Sequence, residues 1–349
     1  MRSRGATRVA AAAMCGVILA AGAVAGCGSS GSSGSGGSGG NANKHVNVAM
    51  FVVATANTHQ QGAIRGAKSA AGQARDTSIH VFSANFVPKT QVNQMQDAIA
   101  SGQYNAMLVD SVDGTVVIPA IRQAIAKGIK VACAFSICGP NQLAFSKQVD
   151  GIVGQYAADY KYLGKANALA IAKGCANKNP CRVVYMDGTP TLAADVSYTK
   201  GWYEEIKKHP NIQVVAKGEG QFQADPAAQA MKDIIQAHPD IEAVGSVSDQ
   251  EITGVAQALA GSPLKNKKVV LVGDGASELA VKGIQSGVWY ASTPLRPFHE
   301  GYLGAKAVIA AVRGNPVGNT LVNTSLSPAA PEGYVTKATV GSWHPEWAG

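Results

Sequence analysis

The 349-residue chain is 46% hydrophobic and only 15% charged, so it can bury a sizeable core and is too apolar to be disordered throughout. Its formal charge of +8 does not point to nucleic acid. Arg2, Arg4 and Arg8 lie in an opening segment read below as cleaved, and the remaining lysines form no run longer than Lys207-Lys208 or Lys267-Lys268, as on a solvated basic surface.

Those three arginines precede an uncharged apolar run from Val9 to Ala25, the pattern of a secretory signal peptide. The run ends in Val24-Ala25-Gly26-Cys27, which resembles a bacterial lipobox and implies a signal peptide over 1–26 with lipidation of Cys27. A transmembrane anchor with an incidental cysteine is the alternative, but the run is short for a spanning helix and rich in Ala and Gly. Two or three acyl chains would give stable membrane residence where one gives little. Residues 27–44 then read as a Gly/Ser tether that buries nothing. Its Gly34-x-Gly36-x-x-Gly39 has no strand before it and no helix after it, so it is not a dinucleotide fingerprint.

From Val46 the chain alternates short apolar strands, at 46–53, 79–83, 106–109, 130–134, 182–186, 212–216, 243–246, 269–272 and 289–292, with helical patterns. The helices are expected over 60–73, 92–101, 116–127, 160–173, 197–208, 226–237 and 251–260. This repetition predicts an α/β fold of two doubly wound, parallel-sheet lobes covered by helices on both faces. Asp225-Pro226 reads as a capping Asp before an N1 proline, and Gly128 as a left-handed helix stop. The stretch "GQYNAMLVDSVDG" is echoed by "HPDIEAVGSVSDQE", as if one unit occurred twice.

Cys15 leaves with the signal peptide, so Cys133, Cys138, Cys175 and Cys181 remain as two local pairs. In an oxidising compartment they read as short-loop disulfides, with a four-thiolate zinc site as the alternative. The Gly-x-Ser-x-Gly match Gly36-Gly37-Ser38-Gly39-Gly40 lies in the tether and not between a strand and a helix, so it is no nucleophile elbow; His-Glu-x-x-His and P-loop patterns are absent, and His209, His238 and His344 each precede a proline. Neither enzymatic activity, a cofactor nor a metal is expected.

In doubly wound sheets, ligands bind at the carboxyl ends of the strands. There the chain places Asn57, His59 and Gln60; Asp110 and Ser111; Phe135 and Ser136; Asp187; Ser248, Asp249 and Gln250; and Asp274. Each alone is as well explained by a turn or a helix cap, but their recurrence at strand ends points to a binding cleft.

From "VNVAMFVVATANTHQQGAIRGAK" through "QDAIASGQYNAMLVD", "AIRQAIAKGIKVACAF", "GTPTLAADVSYTKGWYEEI" and "HPDIEAVGSVSDQEITGVAQAL" to "VVLVGDGASELAVKGIQSG" and "RPFHEGYLGAKAVI", the chain resembles the ribose-type (type I) periplasmic sugar-binding proteins. These are the substrate receptors of bacterial ABC transporters. The resemblance implies two lobes, 45–155 plus 296–322 and 156–295 plus 323–349, joined by three crossovers and closing on the ligand like a clamp. The family's contacts fall on Asn57, where an Asn is usual, and on His59 and Gln60, where aromatic rings often stack. Its Asp-Arg pair falls on Phe135-Ser136, an Arg on Tyr198, an Asn-Asp step on Ser248-Asp249, an Asp on Asp274 or Gly275, and a Gln on Leu295.

Replacing Asp-Arg, Arg and Gln by Phe-Ser, Tyr and Leu removes partners for sugar hydroxyls, so the pocket is expected to be less polar than a ribose site. A deoxy-sugar, a polyol, a furanosyl signal or an aromatic metabolite fits this better than free ribose. Asp249 and Asn57 are expected to be the strongest contacts, and Phe135 the stacking face. The lipobox and the resemblance together imply an extracytoplasmic lipoprotein, monomeric and lipid-anchored to the cell membrane. It would deliver a small sugar, polyol or related cyclic metabolite to an ABC permease, or alternatively to a chemoreceptor, histidine kinase or quorum-signal system. A sugar-responsive repressor is excluded by the signal peptide standing where a helix-turn-helix would be.

Overall fold

The computed structural model describes residues 44–349; the expected signal peptide, the expected lipidation site Cys27 and the expected tether up to Asn43 lie outside the described residues. The first lobe begins with strands β1 (Val46–Val52), β2 (Thr77–Ser83), β3 (Ala106–Val109), β4 (Lys130–Phe135) and β5 (Gly154–Ala157). They alternate with helices α1 (Thr58–Gln73), α2 (Pro88–Ser101) and α3 (Ile118–Ala126). After Ala158-Asp159 the second lobe repeats the plan: α4 (Tyr160–Gly174), β6 (Cys181–Asp187), α5 (Ala193–Ile206), β7 (Ile212–Glu219), α6 (Ala224–Ala237), β8 (Ala243–Ser246), α7 (Asp249–Ala260), β9 (Val270–Gly275), α8 (Glu278–Ser286) and β10 (Ala291–Pro294). The chain returns through Leu295-Arg296 to α9 (Pro297–Val312) and β11 (Leu321–Asn323) on the first sheet, then crosses a third time to β12 (Val335–Thr336) on the second.

The two sheets share one topology: β11-β5-β4-β3-β1-β2 and β12-β10-β9-β8-β6-β7. All pairings are parallel except β10 with β12. The echoed sequence stretches are β3 and β8, which occupy the same place in the two orders. Each sheet reverses direction of growth between its first and third strands, so the crevice for a ligand opens after β1 and β3 in one lobe and after β6 and β8 in the other. The inner strands β3, β4, β8 and β9 are buried on both faces and read as nearly unbroken apolar runs for that reason, whereas β2 and β7 at the sheet edges are only partly buried.

Helix pairs brace each lobe at glycines. A Cβ on Gly66 of α1 would collide with the Phe298 carbonyl of α9, and one on Gly301 with the Ala63 carbonyl; Gly164 and Gly201 do the same between α4 and α5. These close crossings set the helices that carry the cleft loops.

Disulfides join Cys133 to Cys138 and Cys175 to Cys181. Gly128 is left-handed at φ 82° and ends α3. Asp225, however, does not cap α6: the cap is Gln223, and Asp225 lies in the first turn, its carboxylate near the positive helix end. Besides a 3-10 turn at Val340–Ser342, five further elements among the described residues fall outside the expected set. β5, β11 and β12 are two to four residues long and too short for a period, while α8 and α9 carry internal glycines. The last strand of the second sheet's parallel series runs Ala291–Pro294, two residues beyond the expected 289–292, because Trp289 packs inward at the foot of α8.

Candidate functional site

A cavity of about 120 Å³ lies between the lobes at the carboxyl ends of both sheets. At about 10–15 Å³ per water-sized group, this is space for roughly ten such groups, the bulk of a pentose or small hexose ring. Asn57, His59, Gln60, Asp110, Phe135, Ser136, Tyr198, Ser248, Asp274 and Leu295 all line it. Asp249 does not. Its carboxylate is fully buried, with Oδ2 accepting the Ser277 amide at 2.9 Å and the Ser277 hydroxyl at 2.8 Å, and Oδ1 accepting the Ser292 hydroxyl at 2.7 Å. The expected contact is therefore an internal brace that ties α7 to the N-terminus of α8 and to β10. Asp187, at the end of β6, is likewise outside the lining and pairs with Lys217 at 2.6 Å. Gly275 stays behind the wall, so of the two residues that end β9 it is Asp274 that reaches the cavity.

On the first lobe the cavity is edged by polar groups held in place from behind. Asn57 caps α1, accepting the His59 amide at 2.8 Å. Gln91, buried on α2, donates from Nε2 to the Asp110 carbonyl at 2.6 Å and accepts the Val112 amide at 2.9 Å, pinning the loop after β3. Gln155 donates to the Ser136 carbonyl at 2.9 Å, and Ser136 Oγ lies 2.9 Å from Asp110 Oδ1. Phe135 is held at φ 68°, a left-handed conformation costly for a side-chain-bearing residue. The bridge between Cys133 and Cys138 closes the short loop that carries it.

Three buried atoms on this edge have no hydrogen-bond partner among the described residues: His59 Nε2, Gln60 Oε1 and Asp110 Oδ2. Burial pushes the Asp110 carboxyl up to about 7, against the bond from Ser136, and pushes the His59 imidazole down to about 4. His59 is thus neutral near pH 7, and an unpaired imidazole nitrogen and an amide oxygen flank a carboxyl poised between its two forms.

The second lobe offers polar groups that are already engaged. Ser248 caps α7 and accepts the Gln250 amide at 3.1 Å; Asp274 bonds the Thr293 hydroxyl; the Tyr198 hydroxyl lies 3.3 Å from the Ser246 carbonyl. Asp195, a lining residue the sequence reading did not single out, accepts the Thr189 amide at 2.5 Å. Burial raises the Asp195 and Asp274 carboxyls well above the ordinary carboxylate range. Buried Glu251 bonds Ser246 Oγ at 2.6 Å and the Phe222 amide at 2.9 Å, holding the loop after β7.

Ser111 and Gln250, named at strand ends, also line the cavity; Tyr160, Phe86, Phe222 and Trp347 add aromatic wall, and none of these four was foreseen. Phe86 and Phe222 follow the second strand of their respective lobes, each at the end of a left-handed pair, Asn85-Phe86 and Gln221-Phe222. The parallel "ANF" and "GQF" were the available signal; Trp347 had none.

The profile of a family described as "Periplasmic binding protein domain" matches residues 48–316. The galactofuranose-binding protein of Escherichia coli is 31% identical over 126 residues, a match covering 35% of this chain and 39% of that protein. The ribose import binding protein of Bacillus subtilis is 23% identical over 247 residues, 71% of this chain and 75% of its own length. A solved ABC transporter solute-binding protein from Bacillus halodurans, with bound myo-inositol, superposes with a TM-score of 0.73 at 18% identity, over 88% of this chain and 98% of that one.

Proposed function

Because the chain belongs to the periplasmic binding protein family, we propose that it is an extracytoplasmic solute receptor capturing a small, uncharged, sugar-like or less polar cyclic metabolite for an ABC importer. The observation that carries this is the trio of unpartnered atoms on His59, Gln60 and Asp110, which border a cavity of sugar size. A buried polar atom without a partner costs on the order of 1–3 kcal/mol, and a ligand bearing hydroxyls would remove that cost. Among the described residues no Lys or Arg lines the cavity, which argues against a phosphate or carboxylate ligand. Phe135, Phe222 and Tyr198 suit the apolar face of a ring.

In this reading the lobes, with the expected bounds near 155 and 322 moved to the ends of β5 and β11, rotate about the three crossings, and ligand held by both favours the closed form. Cys27 carries the lipid that keeps the receptor at the membrane, and 27–44 is its leash. The test is a thermal-shift screen of the full-length protein against neutral sugars, polyols and their deoxy and furanosyl forms. A ligand present at a hundredfold excess over its Kd stabilises the fold by about 2.7 kcal/mol, a large rise in melting temperature. No rise with any neutral cyclic solute, or a rise with anions alone, overturns the assignment. Loss of a sensory response, with uptake intact, in a deletion strain would transfer the receptor from an importer to a signalling partner.

A further inference from the structure

One wall of the cavity comes from neither set of strand-end loops. Trp347 is 4% exposed, lines the cavity, and meets the His59 ring edge to face, centroids 5.4 Å apart and planes at 89°. The segment that carries it is fastened on both sides of the cleft. On the second lobe, Trp347 Nε1 donates to the Gly275 carbonyl at 3.2 Å. The amides of Glu278 and Leu279, two of the otherwise unpaired donors at the start of α8, bond the Trp347 and Ala348 carbonyls at 3.1 and 3.2 Å.

On the first lobe, Arg65 donates to the Glu346 carbonyl at 3.0 Å, and the Thr58 hydroxyl donates to the Gly349 carbonyl at 3.0 Å. The Glu346 carboxylate accepts the His299 amide at 3.0 Å and lies 3.2 Å from Arg296 Nε. Thr58 also receives the Gln250 side chain at 3.2 Å, so the two lobes meet at the foot of this segment.

From this placement we infer that the segment 346–349 is a third wall of the cleft and that Trp347 is a specificity-determining residue, selecting a cyclic solute with an apolar face. The inference rests on the solute-receptor reading. His59 and Gln60 stand where an aromatic platform was expected after β1, and neither supplies one. The indole supplies it from another part of the chain, held rigid by its own N–H bond and by backbone bonds on either side. Gly275, at φ 140°, leaves room for the ring: a Cβ there would collide with Trp347 Cζ2. A ring so fixed presents a flat apolar surface without the entropy cost of ordering it on binding.

The experiment uses full-length Trp347→Phe, Trp347→Leu and Trp347→Ala with D-ribose and myo-inositol as cyclic probes and xylitol as the open-chain one, read by calorimetry. For a cyclic probe that the wild type binds, the Leu and Ala variants should lose at least about tenfold in affinity while Phe stays within about threefold. Xylitol, with no ring face to stack, should change by less. Equal affinity of the Leu and Phe variants, or an equal loss for cyclic and open-chain probes, overturns the inference.

A second arm needs no ligand. Hydrogen exchange at the Glu278 and Leu279 amides should accelerate in Trp347→Leu relative to Trp347→Phe, because the carbonyls they bond ride on the segment. Unchanged protection there sinks the wall even if affinities move. A wild type that binds none of the probes counts against the solute-receptor reading, while the exchange arm still decides whether Trp347 holds the segment in place.

Discussion

The two lobes are built on one topology, yet where they border the cavity they treat their buried polar groups differently. In the second lobe, Asp249, Asp274, Asp195 and Glu251 are all bonded to serine or threonine hydroxyls or to backbone amides. In the first, His59, Gln60 and Asp110 each keep one buried atom unsatisfied at the cavity. Internal satisfaction lowers the energy of the empty receptor; an open valence raises it and reserves the stabilisation for the ligand. Under the proposed solute-receptor function this contrast predicts that ligand hydroxyls are met chiefly by the first lobe, while the polar residues of the second hold its own loops.

The sharpest way to break this comparison is Asp110→Asn. It replaces the carboxyl by an amide that accepts one bond fewer and donates where the site now accepts, so affinity for the cognate solute should fall by about a hundredfold, or about 2.7 kcal/mol. The empty protein should melt no lower than wild type, since the buried ionisable group is gone. Calorimetry and a thermal melt of the same preparation check both, and a lower melting temperature with unchanged affinity would mean that Asp110 is an ordinary structural acid.

The same variant has a pH signature. The Asp110 carboxyl sits at about 7 in the fold against an ordinary 3.8, so its contribution to stability is complete below about pH 4 and is lost as pH rises toward 7. His59, lowered to about 4 from 6.5, works the other way: its contribution is present above about pH 6.5 and lost as pH falls through 4. In the wild type the two trends offset each other between pH 4 and 6.5. Asp110→Asn leaves only the histidine trend, so its stability relative to wild type should grow between pH 5 and 8 by roughly 1–3 kcal/mol. A difference that is flat with pH in denaturant titrations would show that the carboxyl is not desolvated.

Asp249→Ala tests the other lobe. It strands the Ser277 and Ser292 hydroxyls and the Ser277 amide in the interior, and should destabilise the empty protein by about 1–3 kcal/mol. Any affinity loss should follow from that loosening and be partly restored by Asp249→Asn, which keeps the volume and an acceptor. Wild-type melting with a tenfold affinity loss would instead make Asp249 a ligand contact after all.

Asp249 also marks the limit of what the sequence discloses. Strand ends were legible because an unbroken apolar run stops abruptly at a polar residue, and that rule located Asn57, Asp110, Ser136, Ser248 and Asp274 at the cavity. A polar residue after a strand looks the same whether it faces a ligand or braces the neighbouring strand, and only the depth of the α7 N-terminus behind β9 separates Asp249 from Asp274. Tyr160 and Trp347 were invisible for another reason. They reach the cleft from a crossover and from a segment remote in sequence, where no periodicity links them to the strands they serve. Phe86 and Phe222 lay between these cases, repeated in both lobes but detectable only once the lobes are superposed as one plan.

The two disulfides give the finest test, because they are matched in size and differ in place. Each closes a loop of similar length, with separations of 5 and 6 residues, so either should stabilise by roughly 2 kcal/mol through loop-closure entropy alone. Cys175–Cys181 ties the end of α4 to the start of β6, at the edge of the lobe away from the cavity. Cys133–Cys138 encloses Phe135 and Ser136, the first in a left-handed conformation and the second bonded to Asp110, so it holds a binding loop in a shape the chain alone would rarely adopt. Replacing Cys175 and Cys181 by serine should lower the melting temperature and leave affinity within about twofold, a change of roughly 0.4 kcal/mol. Replacing Cys133 and Cys138 should lower the melting temperature by a similar amount and also weaken binding by about three- to tenfold, because the ligand must then order the loop itself. If both pairs affect melting alone, the rigidity of the Phe135 loop comes from Gln155 and the strand, and the first lobe's recognition edge does not depend on its disulfide.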